Sequence, residues 1–340
     1  MKIMPPLRLR ATIAFLLALA CVLPGAAGAQ TTTCHGRDLI ADLSAPDRSA
    51  MDAAVAAVPY PGGNHWRATR GTQNIDVIGT FHLYDPRMDA PMARLAPLIA
   101  GADRVYLEAT DVEIAELKQA VATRPELLVL QGKTLPERLP EADWQKLSAA
   151  LQARGVPAFM GAKFQPWYVA MLLGMPPCAM SAMQDGATGM DHLISETAKA
   201  DGVPLSALEP YDTAIQAIGH LSEIDQTAMI RDALLTEHQS EDLLATMTAA
   251  YFRQDHRAIW EFARQLAFKA PGADRVKVDA DLARMEDLLV TRRNQAWVAL
   301  LDKAKGDHLI VAVGAGHLAG QKGLLQLLQQ AGFTLERAEF

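Results

Sequence analysis

The sequence predicts an α/β fold: a mixed, largely parallel central sheet flanked by helices, with a helical cap region. Three observations carry this. Short β-branched runs alternate with long helical stretches along most of the chain, which is the pattern of layered α/β proteins. Two of those runs end in the same device, Gly-x-x-His: Gly79-Thr80-Phe81-His82 after residues 75–78, and Gly314-Ala315-Gly316-His317 after residues 309–313. Two others end in glutamate, Val105-Tyr106-Leu107-Glu108 and Leu205-Ser206-Ala207-Leu208-Glu209. In an open α/β sheet the carboxyl ends of the strands form the edge where ligands bind.

Taken in order, the chain opens with a basic stretch carrying Lys2, Arg8 and Arg10. An apolar run over 11–23 and the small-residue site Ala27-Gly28-Ala29 follow. This is the layout of a cleaved signal peptide over residues 1–29, with Gln30 as the new N-terminus. Residues 30–340 then form one α/β domain. Losing the three leader cations takes the formal charge from −7 to −10, which argues against nucleic acid and anionic membrane surfaces as partners. No later run approaches the ~18 apolar residues of a membrane span, so no stable membrane insertion is expected after cleavage. Cys34 and Cys178 remain, an even count that in an oxidising compartment suggests a disulfide, with two free thiols as the alternative.

Residues 38–57 read as helical in two pieces broken at Pro46. A strand at 65–70 turns at Gly71-Thr72-Gln73-Asn74 into the strand at 75. Residues 92–100 are helical, and 104–108 is a short strand. From 112 to about 173 the pattern is mostly helical with breaks at Pro125, Pro136, Pro140 and Pro157. The Pro-, Gly- and Met-rich stretch 176–189 reads as a loop. A helix at 191–200 and a strand at 203–208 follow. Residues 212–270 and 280–305 are helical. The chain closes with the strand at 309, a helix at 322–330 and a strand at 334–338. The long helical stretches are expected to pack beside the sheet as a cap, with the apolar run 167–175 as a buried helix or a lip of the cleft.

A lone Gly-x-x-His is usually only a turn, and a glutamate at a strand end is usually a cap or a surface ion pair. The repetition of both at strand ends is what points to one shared site. A carboxylate closing an apolar strand needs a partner. Two imidazoles and two carboxylates can hold a divalent metal with positions left for water, and the metal then lowers the pKa of that water to about 7. Asp191 opens a helix, where the helix dipole alone accounts for an acidic residue. Arg293 can clamp a carboxylate or a developing oxyanion. The histidines at 35, 65, 220, 238, 256 and 308 share no context, and most are expected at the surface.

Both Gly-x-x-His motifs, the Val-Tyr-Leu-Glu strand end, and Val313-Gly314-Ala315-Gly316-His317-Leu318-Ala319-Gly320 with Gly323-Leu324 resemble the TraB/PrgY/GumN family and, through the same motifs, the Tiki metalloproteases. Gly189-Met190-Asp191, Leu208-Glu209 and Arg293-Asn294 fit that pattern in order. The resemblance spans about 34–337 and implies a fold like that of erythromycin esterase and the haem-binding ChaN proteins. It also implies a site around both histidines and Glu108, with a peptidase activity that uses manganese or cobalt in some relatives.

The resulting expectation is a periplasmic or secreted metal-dependent hydrolase, a peptidase foremost, acting on a peptide or other small substrate. His82, His317, Glu108 and Asp191 are the candidate ligands of a divalent metal (manganese, cobalt or zinc). Glu108, Glu209 and Arg293 are the candidate catalytic groups. A metal-free variant uses a histidine as general base and a carboxylate to orient it. The alternative class is a non-enzymatic haem or iron binder, or an accessory factor in envelope polysaccharide export.

Overall fold

A computed structural model describes residues 34–184, 186–270 and 272–340; the expected leader at 1–29 lies outside them. Six strands form one sheet: β1 (His65–Arg70), β2 (Gln73–Thr80), β3 (Arg104–Leu107), β4 (Leu205–Ala207), β5 (His308–Gly314) and β6 (Thr334–Arg337). Their order across the sheet is β4-β3-β5-β2-β1-β6. The strands β4, β3, β5 and β2 run parallel, and β1 is antiparallel to both its neighbours. The mixed, largely parallel sheet read from the sequence is the observed one. The centre of the sheet is covered on both faces, which is why β2 and β5 are near-continuous apolar runs. At its edge, Gly71 at φ +62° makes the two-residue turn between β1 and β2.

One face of the sheet buries Ile78, Val105, Ile310 and Ala312 against Met88, Leu95, Met190 and Ile194. The other buries Val77, Leu309, Val311 and Val313 against Trp297, Leu301, Leu324 and Leu328. A third apolar cluster, holding Leu147, Leu151, Trp167, Leu173, Ile230 and Leu289, is the core of the helical cap. Its helices come from separate stretches of chain, among them Glu141–Ala153, Pro166–Gly174 and Glu223–Thr236. The cap is therefore not a contiguous insertion.

Several local readings change. Residues 38–44 are not helical, and Pro46 opens the helix Ala45–Ala56 behind the N-cap Ser44 rather than breaking it. The stretch read as a loop at 176–189 contains the helix Pro177–Gln184. Prolines at a first turn give up an N–H that has no intrahelical partner anyway, so they begin helices here rather than prevent them. In the last helical stretch, a π-turn at Asp287–Thr291 separates Arg275–Glu286 from Arg292–Leu301.

His65 and His256 are buried, against the surface expectation. His65 Nε2 and His308 Nε2 lie 3.0 and 2.9 Å from the two carboxylate oxygens of Asp76, and Arg67 Nε donates to Asp76 Oδ1 at 3.1 Å. This cluster ties β1, β2 and β5 together in mid-sheet.

Cys34 and Cys178 form a disulfide with Cα atoms 5.3 Å apart. It joins the start of the described chain to the cap helix Pro177–Gln184. Beyond it, His35 N donates to Glu241 Oε2 and Leu39 N to Thr246 Oγ1, at 2.9 and 2.8 Å, which seats this arm on the helix Ser240–Phe252. Replacing both cysteines with serine is expected to cost roughly 2–5 kcal/mol of unfolding free energy. Urea unfolding of the oxidised protein and the double variant checks this; coincident midpoints would contradict it.

Candidate active site

Because β2, β3, β4 and β5 are parallel, their carboxyl ends share one edge, and all four strand-end motifs arrive there. His82 follows β2 by two residues, Glu108 follows β3 by one, Glu209 follows β4 by two, and His317 sits in a short 3₁₀ turn after β5. Asp191 is in the first turn of the helix Met190–Ala200, and Arg293 is in the first turn of Arg292–Leu301. All six expected site residues are brought together.

The motif glycines serve close approach rather than a left-handed bend. A Cβ on Gly79 would stand 2.8 Å from Leu318 Cδ1 and 3.1 Å from Ala315 Cβ, so the first motif packs directly on the second. A Cβ on Gly189 would stand 2.2 Å from Phe81 O and 2.5 Å from His82 Cα; this glycine lets the Asp191 helix reach the His82 loop. Met190 N then donates to Phe81 O at 2.9 Å. A Cβ on Gly314 would stand 3.3 Å from Glu108 Oε1, 3.6 Å from His82 Nε2 and 3.8 Å from His317 Cδ2. Both imidazoles and Glu108 therefore face one small space. Gly314→Ala is expected to fold with a near-unchanged melting temperature, since its Cβ meets only side-chain atoms, none closer than 3.3 Å, and to lose activity by filling that space. Full activity in this variant would contradict the assignment of the space as the reaction centre.

Arg293 occupies the middle of the charge network. Its Nε donates to Glu209 at 2.9 Å, and its Nη2 donates to Glu209 at 2.6 Å and to Glu108 at 2.5 Å. Its Nη1 donates to Leu289 O and His317 Nε2, both at 3.1 Å. All five guanidinium N–H groups are thus engaged. The π-turn immediately before Arg293 shifts the helix register there, and π-turns concentrate at functional sites. Trp297, one turn on, donates Nε1–H to Glu209 at 3.0 Å, and its ring lies under the guanidinium, 4.9 Å from centroid to Cζ.

The two imidazoles are held in opposite states. His317 Nδ1 lies 2.8 Å from Asn294 Oδ1, and its Nε2 accepts from Arg293, which fixes the neutral Nδ1–H tautomer. Burial, reinforced by Arg293, lowers its pKa to about 3. His82 Nδ1 lies 3.2 Å from Asp191 Oδ1, leaving Nε2 toward the cleft. Burial pushes this imidazole down, but the charge and hydrogen bond of Asp191, with Glu108 behind them, outweigh it and raise the pKa to about 9. For Glu108, burial opposes the charge; Arg293, His82 and the Gly314 N–H at 2.7 Å outweigh burial and hold it well below the usual carboxylate range. Glu209 moves the other way, because burial and the Glu108 charge exceed its share of Arg293.

This arrangement bears on the metal expectation. Catalytic zinc sites use three protein ligands, and among the described residues no group of three His, Cys, Asp or Glu side chains is placed to hold an ion. The reason is Arg293, which takes His317 Nε2 and hydrogen-bonds to both glutamates. The donor set as placed does not fit a metal centre.

Five of the six, all but His317, border a cavity of about 230 Å³. Its floor is polar, with Thr80, His82, Glu108, Asp191, Glu209 and Arg293. Its opposite wall is the cap, with Ile114, Leu117, Trp167, Met171, Ile215 and Ile218. The run beginning at Trp167 is thus both a buried helix and a wall of the cleft.

The chain matches the TraB/PrgY/gumN family over residues 64–337. It belongs to that family. It is similar to the uncharacterized protein YbaP of Escherichia coli (strain K12), 24% identical over 278 residues that cover 78% of this chain and 94% of YbaP. YbaP of Shigella flexneri gives the same identity and coverage. The family match takes in all four strand-end motifs together with Asp191 and Arg293. Asn294 belonged to the pattern read from the sequence but had no role there, and it sets the His317 tautomer; the Trp297 brace and the Thr80 hydroxyl were given no role either. The i, i+4 spacing of Arg293 and Trp297 was the available signal for the brace.

Proposed function

We propose that this family member is a periplasmic or secreted hydrolase, acting on a peptide foremost, in which His82 and Asp191 form the general-base pair. The observation that carries the reading is the His82 imidazole held at Nδ1 by Asp191 while Nε2 and Glu108 Oε1 face one shared space. A water there is deprotonated by neutral His82 as it attacks the scissile carbonyl, and Asp191 stabilises the imidazolium that forms. Arg293, with every N–H engaged, acts on the developing oxyanion through its charge rather than by a direct hydrogen bond, and it keeps Glu108 ionised. Protonated His82 then returns the proton to the leaving amine. The apolar cap wall fits a substrate with an apolar body beside its scissile bond.

The disulfide agrees with an oxidising compartment, and none of the described helices is long and apolar enough to cross a membrane. A divalent metal at His82 Nε2 and Glu108 Oε1 is the second reading, favoured by their facing the same space; a third ligand from His317 or Glu209 would require Arg293 to give way.

The pH dependence tests the base assignment. A base whose free-enzyme pKa is raised to about 9 is mostly protonated, and so inactive, at neutral pH. The value of kcat/KM is expected to rise with pH, pass through half its maximum near 9 and level off above that. A profile that instead falls through 9 would make His82 the acid and overturn this assignment.

A further inference from the structure

We infer that Thr80 is a positioning residue whose hydroxyl holds the attacking water against His82 Nε2 and Glu108 Oε1. The inference rests on the hydrolase reading above and deepens it. Thr80 is 2% exposed, and its Oγ1 has no hydrogen-bond partner among the described residues. Buried hydroxyls are almost always partnered, so a buried, unpartnered one at the edge of a cleft points to a partner that the cleft supplies. Thr80 lines that cavity.

Its place in the sheet brings it to the reaction centre. Thr80 is the last residue of β2, and its register partner on parallel β5 is Gly314. Side chains alternate along a strand. Ile78 on β2, and Ile310 and Ala312 on β5, face the sheet side that packs on Met190 and Ile194. Thr80 and the vacant Cβ direction of Gly314 therefore point to that same side from adjacent strands. The Gly314 position is the one that lies 3.3 Å from Glu108 Oε1 and 3.6 Å from His82 Nε2.

The hydrogen-bond inventory of a water closes at this point. Its two hydrogens go to neutral His82 Nε2 and to Glu108 Oε1, and one lone pair accepts the Thr80 Oγ–H. The second lone pair is left for the carbonyl carbon. Arg293 cannot supply the third contact, because its five donors are used within the protein. Without Thr80 the water keeps its base but loses the contact that fixes where its attacking lone pair points.

The test uses Thr80→Val, which keeps the shape and removes the hydroxyl, and Thr80→Ser, which keeps the hydroxyl. Two readouts are taken. In high-resolution crystals of the ligand-free wild type above pH 9, one ordered water is expected within hydrogen-bond distance of Thr80 Oγ1, His82 Nε2 and Glu108 Oε1, displaced or lost in Thr80→Val. In hydrolysis, Thr80→Val is expected to lower kcat by roughly 10- to 100-fold with KM little changed, and Thr80→Ser is expected to recover to within a few-fold of wild type. A merely structural threonine would leave kcat unchanged in Thr80→Val at equal or higher melting temperature, and that result overturns the inference. A water bonded to Thr80 but to neither His82 nor Glu108 overturns it as well, whether or not a cleaved substrate has been found. Failure of the wild type to hydrolyse anything, with the three-contact water in place, would instead count against the hydrolase reading.

Discussion

Arg293→Met is expected to lower the unfolding free energy by about 3–5 kcal/mol and to remove activity as well. The guanidinium, itself buried, is the shared partner of two carboxylates largely withdrawn from solvent, Glu108 and Glu209, with side-chain exposures of 17% and 11%. Removing one side of a buried ion network leaves uncompensated charge, which costs far more than the network contributes net. The same logic gives a control. The triple variant Arg293→Met, Glu108→Gln, Glu209→Gln removes both the cation and the anions, and should regain much of the lost stability while remaining inactive. Urea denaturation of the three proteins decides this. A single variant as stable as wild type would mean that the carboxylates are neutral or solvated, and the electrostatic picture of the site would be wrong.

His82→Gln is expected to lower kcat/KM by about 10²- to 10⁴-fold, the usual worth of a positioned general base. Glutamine retains a polar tip near Asp191 and cannot take the proton. Asp191→Asn should cost less, because it leaves the imidazole in place and removes only the charge that stabilises its protonated form. In that variant the pH–rate limb should move down from about 9 toward the ordinary histidine value of about 6.5, since Asp191 is the main influence raising it. Kinetics of both variants across pH 5 to 10 check the pair. Equal rates for His82→Gln and wild type would exclude His82 as the base.

The strand-end residues were legible because the parallel sheet converts sequence into place: a motif that ends a buried strand must appear at the shared carboxyl edge. That is why His82, Glu108, Glu209 and His317 were found without a structure. Asp191 and Arg293 were less secure, since a helix N-terminus and a basic helix face each account for such residues without function. The role of Gly79, Gly189 and Gly314 in close approach was not legible, because only tertiary contacts show what a side chain there would meet. Pairing between His65, His308 and Asp76 was hidden for the same reason, although an aspartate in the middle of the apolar β2 run was a signal that it must find partners. The saturation of Arg293 was not readable at all. It depends on five acceptors brought from four segments, and it occupies His317 and Glu108, two of the four residues (with His82 and Asp191) expected to hold a metal; the base-pair reading proposed here follows from that.

Turnover without metal tests the central claim most directly. Wild-type protein and His82→Gln, both stripped with chelator and shown metal-free by elemental analysis, would be incubated with a peptide mixture at pH 9 and the products read by mass spectrometry. Cleavage by the stripped wild type and none by His82→Gln is the expected result. No cleavage by the stripped wild type, with activity restored by manganese, cobalt or zinc, would contradict it, and so would equal cleavage by both proteins.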